Sequence, residues 1–115
     1  MITYAKDMIP TITENMRGGN GPVSIMPLFQ EKIPHVRLLA VITLIPGASI
    51  GAHQHIDECE VFYALEGEAT VVDGGNVFTL QPGDAHLCVD GGTHSLENHS
   101  EKTVRVLAAI PTNAE

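Results

Sequence analysis

Glycine or proline interrupts this chain so often that no segment has room for a long helix. Eleven glycines and seven prolines are spread over 115 residues. Inside a helix a glycine costs about 1 kcal/mol and a proline about 3 kcal/mol relative to alanine. The runs between these breaks are short and rich in Val, Ile, Leu and Thr, which suit a pleated, half-buried surface. They fall at 23–29, 36–45, 60–66, 68–73, 76–80, 85–89, 94–98 and 103–110. Asp73-Gly74-Gly75 signals a tight hairpin between two of them. This spacing predicts an all-β sandwich or barrel in a single domain. One segment, 11–16, has the Thr11 and Glu14 spacing of a capping box and is a short helix candidate. Residues 1–22, with the Gly-rich stretch from Met16 to Pro22, read as an amino-terminal arm.

Charge and composition narrow the function. Six basic residues against fourteen acidic ones leave a net charge of -8. Nucleic-acid binding needs a basic patch to neutralise phosphates, so no nucleic-acid partner is expected. Anionic membrane surfaces are disfavoured for the same reason. The longest apolar stretch, 38–45, falls far short of the ~20 residues of a membrane helix. The first residues lack the basic start and apolar run of a signal peptide, and a cytoplasmic location is expected. Two cysteines, Cys59 and Cys88, do not make a disulfide scaffold. With three Phe, two Tyr and no Trp, the core must be aliphatic.

The strongest chemical signal is the segment from Gly47 to Gly67. His53 and His55 are two residues apart, so on an extended strand both imidazoles point to the same face. Glu60 opens the next run and brings a carboxylate back toward the same point. A fourth group, His94, is available in the stretch Gly91–Asn98. Three imidazoles and a carboxylate suit one divalent transition metal: Mn, Fe, Ni, Co, Cu or Zn. A six-coordinate ion held by four protein groups keeps two positions for water, substrate or dioxygen.

Gly47, His53, His55, Glu60 and Gly67 resemble the first cupin motif at every fixed position. Gly83, Gly91, His94 and Asn98 resemble the second, with Val89 where that family usually has proline. The resemblance spans about 38–110, and the short stretch between the motifs is typical of small microbial single-domain cupins. It implies a double-stranded β-helix, a jelly-roll barrel of two packed antiparallel sheets, with a metal inside one end. It implies that His53, His55, Glu60 and His94 are the ligands. Such a fold hosts many unrelated chemistries, so the reaction stays open. The filled ligand set favours a metal-dependent enzyme on a small organic metabolite, of oxygenase, decarboxylase or isomerase type. The alternative is a non-catalytic module that binds or senses a small molecule or metal.

Other residues follow from strand alternation. Phe62 and Ala64 share the face of Glu60 and are expected to line the pocket, with Leu96 and His86. Val61, Tyr63 and Leu65 then face outward, and an apolar outer face predicts a homodimer. Asp57 and Glu58, in the turn between the ligands, read as a solvated turn, with support of a ligand from behind as the alternative; Cys88 reads as a small core residue. Arg17 and the glycines after it either fold over the barrel mouth or stay disordered.

Overall fold

Strand β10 (Val104–Pro111) shows the rule by which this chain folds. Val104, Val106, Ala108 and Ile110 are buried, and the residues between them are not. A period of two leaves one face for the interior. The computed structural model describes residues 1–113. The other strands are β1 (Thr11–Glu14), β2 (Pro22–Pro27), β3 (Val36–Leu44), β4 (Ser49–Gln54) and β5 (Glu60–Glu66). They continue with β6 (Ala69–Asp73), β7 (Asn76–Leu80), β8 (Ala85–Cys88) and β9 (Thr93–Glu97).

The strands form two antiparallel sheets. One has six strands in the order β1-β2-β3-β10-β5-β8; the other has four, β4-β9-β6-β7. The all-β fold of two such sheets is the one the glycine and proline punctuation predicts. Their inner faces meet in a core that includes Val23, Ile42, Leu44, Ile50, Phe62, Val71, Leu96, Val104 and Val106. That core is aliphatic except for Phe62, whose complete burial stabilises the fold by roughly 1.5–3 kcal/mol. The β6–β7 hairpin pairs Asp73 with Asn76 across Gly74 and Gly75, both at positive φ as a two-residue turn of this hand demands.

The helix expected over 11–16 does not form. Thr11–Glu14 is strand β1, paired with β2 from Thr11↔Ile25 to Glu14↔Pro22. Six residues close too few helical bonds to offset nucleation, whereas the free edge of β2 satisfies the backbone at once. Only a 3-10 turn at Met16–Gly18 follows. The amino-terminal arm is docked rather than loose. The Ser49 N–H donates to the Asn20 carbonyl (2.8 Å), and the Asn20 N–H donates to the Ser49 hydroxyl (3.0 Å).

Candidate metal centre

A bulge in β4 aims the first histidine. Ile50 pairs with Leu96 and His53 with His94, so β4 carries one extra residue between them. Ile50 and His53 are an odd number of residues apart, yet both line the same cavity; the extra residue makes this possible. His55 lies just beyond β4. Its backbone is tied to the turn after β8: the Gly91 N–H donates to its carbonyl (2.7 Å), and its N–H donates to the Gly92 carbonyl (3.0 Å). Glu60 opens β5, and His94 sits opposite His53 on β9.

These elements bring His53, His55, Glu60 and His94 together, with one ligand atom from each lying within 4.8 Å of all the others. Glu60 Oε1 is 3.0 Å from His55 Nε2, 2.9 Å from His94 Nε2 and 3.8 Å from His53 Nε2. His55 Nε2 and His94 Nε2 are 3.0 Å apart. His55, Glu60 and His94 are buried, and His53 is half-buried.

The other ring nitrogens show what this cluster is built to hold. His53 Nδ1 donates to the Gly51 carbonyl (2.8 Å), an oxygen that can only accept. His55 Nδ1 donates to the Glu58 carboxylate (2.5 Å). His94 Nδ1 faces His86 Nε2 at 3.3 Å. With the Nδ1 protons of His53 and His55 held outward, their Nε2 lone pairs face inward onto a carboxylate oxygen, and His94 Nε2 lies at the same point. Nitrogen and carboxylate donors gathered at one point in this way could hold a cation between them. Three imidazole nitrogens and one carboxylate oxygen fit a divalent transition metal. With the imidazoles alone as partners, burial pushes the Glu60 carboxyl up. Hydrogen bonds from His53 and His94 and the nearby imidazole charges outweigh that and leave it at about 2.

Glu58 belongs to this centre as well. Both of its oxygens accept from Arg37, at 2.7 Å from Nε and 2.7 Å from Nη2. That pairing, opposed by burial and assisted by His55, holds the Glu58 carboxyl down at about 2. Glu58 is thus an ionised clamp on His55, the alternative of the two readings that its place in the turn allows, rather than a solvated turn residue. No sequence signal marks its pairing with Arg37, which is 21 residues away.

A cavity of about 110 Å³ opens onto His53, His55 and Glu60. Its apolar wall is Met16, Ile25, Leu38, Ile42, Ile50 and Ile110, and Arg17 and Arg37 complete it. The four residues expected as pocket wall sit elsewhere. The Phe62 ring stacks flat on His94 (centroids 4.9 Å, 7° between planes), with His86 also stacked on His94 at 5.4 Å. His86 Nε2 also lies 3.5 Å from Asp73 Oδ2. Ala64 and Leu96 are fully buried core residues. Phe62 and His86 lie against the His94 ring and Ala64 and Leu96 in the core, while side chains of β2, β3, β4 and β10 supply most of the cavity's apolar wall. Cys88 is buried as expected, and burial pushes its thiol up to about 11.

The family model described as the cupin domain matches residues 40–110. The chain belongs to the cupin family. It is 35% identical over 112 residues to the oxalate-binding protein of Thermotoga maritima, covering 96% of this chain and 93% of that one. A crystal structure of a predicted oxalate decarboxylase from Thermotoga maritima superposes with a TM-score of 0.92 at 33% identity. That match covers 97% of this cupin and 99% of the other chain. A protein of Thermus thermophilus matches at 30% identity with a TM-score of 0.71, covering 78% and 83% of the two chains. The cupin fold and the His3Glu donor set thus stand together on one small barrel. Among the described residues no helix is long and apolar enough to cross a membrane.

Proposed function

We propose that this cupin holds one divalent transition metal on His53, His55, Glu60 and His94 and uses it to bind a small carboxylate of the oxalate class. The observation that carries the reading is the inward convergence of three imidazole nitrogens and a carboxylate at the end of a small cavity. A bound ion supplies two further coordination positions, enough for a chelating pair of ligand oxygens. The protein's own residues do the rest. Gly51, Glu58 and His86 hold the imidazoles in place by their outer nitrogens. The aliphatic side chains on one side of the cavity lower the local polarity and so strengthen charge interactions beside them. The likeness to an oxalate-binding protein supports this ligand class.

Binding is favoured over turnover by the cavity wall. Among the residues lining it the sole carboxylate is Glu60, itself a ligand, and no Tyr, Cys or Lys is present to move a proton. The experiment is to load the protein with Mn, Fe(II), Co, Ni or Zn and titrate oxalate by calorimetry, while assaying the same samples for oxalate loss with and without air. Saturable binding abolished by chelator, without product, supports the reading. Absence of binding with every metal rejects it, and product release would replace it with the enzyme reading.

We also propose that the protein works as a homodimer in a reducing, cytoplasmic setting. Tyr63, Leu65 and Leu87 are exposed on β5 and β8, an apolar patch on the six-stranded sheet. Cys59 and Cys88 are free thiols. Sedimentation showing only monomer at micromolar concentration rejects the dimer.

A further inference from the structure

Two of the chain's three arginines line the metal-facing cavity, and they are not equivalent. Arg37 is committed to Glu58 through two hydrogen bonds. Arg17 is exposed and has no carboxylate partner among the described residues. An unpaired arginine on the wall of a metal-facing cavity, in a chain of charge -8, calls for an explanation.

The backbone beneath Arg17 is held in place. Arg17 lies at φ 56 and ψ 31, and Asn15 at φ 53, a left-handed conformation that costs an ordinary residue roughly 1–2 kcal/mol. Such strain persists where the surroundings over-determine it, and here they do. Met16 packs against the core cluster. Asn20 and Ser49 exchange hydrogen bonds. A Cβ at Gly51 would collide with the Arg17 carbonyl, so only glycine lets the turn lie on β4. The same Gly51 carbonyl receives the His53 Nδ1 proton. The position of Arg17 and the aim of a metal ligand are therefore set by one residue.

Charge then decides what the cavity takes. With a divalent ion held, Glu60 cancels half of its charge and Glu58 cancels Arg37. Arg17 brings the surplus to two positive charges. Positive charges lining one cavity repel one another, and a dianion removes that repulsion where a monoanion leaves half of it. We propose that Arg17 is the anion-recognising residue of the cavity and sets its preference for small dicarboxylates over monocarboxylates. This rests on reading the site as a metal-anchored carboxylate site.

The test compares Co(II)-loaded wild type, Arg17→Gln and Arg17→Lys in calorimetric titrations with oxalate and with glycolate, a chelating monoanion. Arg17→Gln weakens oxalate about tenfold or more, the size of a charge-assisted hydrogen bond, and glycolate by less than about threefold. Arg17→Lys recovers most of the loss. Co(II) affinity measured without either ligand is unchanged or tighter in Arg17→Gln, because a like charge is gone. Oxalate affinity within about twofold of wild type, equal losses for both ligands, or weakened Co(II) binding each overturn the proposal. Wild-type protein that binds neither ligand overturns the metal-anchored reading as well; oxalate binding retained in Arg17→Gln overturns the role of Arg17 alone.

Discussion

Strand β9 joins two buried polar centres that solve the same problem in opposite ways. His94 sits near its start, and Asn98 follows its end. The Asn98 amide donates to the carbonyls of Leu44 (2.9 Å) and Lys102 (2.8 Å). Its side-chain oxygen accepts from the N–H and the hydroxyl of Ser100. Its own backbone N–H and C=O pair with Ala48 and Gly47. Every donor there meets an acceptor inside the protein, so that centre is complete. At His94 the groups meeting are three ring nitrogens and a carboxylate, a donor set that could hold a cation the chain does not itself supply. A burial cost settled within the chain produces structure; one left to a ligand produces a binding site.

The sharpest way to break this contrast is Glu60→Gln. Its amide offers protons to the imidazole lone pairs and so closes the open centre from within. Metal affinity should fall beyond the ~100-fold seen for outer-partner mutations. Metal-free thermal stability should match or exceed wild type, as elemental analysis and calorimetry would show. A variant that still copurifies with one ion per chain would contradict the ligand assignment.

Next in size is Asn98→Ala. It removes the amide donors to the Leu44 and Lys102 carbonyls, of which Lys102 keeps the Ser100 hydroxyl (3.0 Å), and should cost about 1–3 kcal/mol in denaturant unfolding. The loss should be equal with and without metal, and metal stoichiometry should not change. A smaller effect is expected for Glu58→Gln, which weakens the hold on His55 and should reduce metal affinity ~10–100-fold. Equilibrium dialysis measures it, and global stability should move little. The smallest change is His99→Ala. His99 Nε2 pairs with Glu97 at 2.6 Å on the surface. Removing it should shift stability by no more than about 0.5 kcal/mol.

Much of the site was legible because its logic is local. The i, i+2 spacing of His53 and His55 and the place of Glu60 at the head of a strand follow from a period of two. A supporting role for Glu58 was one of two readings of the turn, but its pairing with Arg37 was not legible. Arg37 lies on β3 and Glu58 in the turn between β4 and β5, and nothing in that turn says that an arginine from β3 will reach it. The pocket wall was misjudged for a related reason. Alternation correctly turned Phe62, Ala64 and Leu96 inward, but inward includes both the cavity and the packing behind it.

By itself, then, the sequence determined the strand-and-turn character of the chain, its aliphatic core and the faces on which the ligand residues lie. Each of these depends on neighbours a few residues apart, through backbone period, turn chemistry and side-chain type. The tertiary structure alone decided the pairing of Thr11–Glu14 as a strand, the grip of Glu58 and Arg37 on His55, and the seating of Arg17 over Gly51. Those depend on which segments distant in the chain come to lie side by side, and only the closing of the two sheets over one core brings them there.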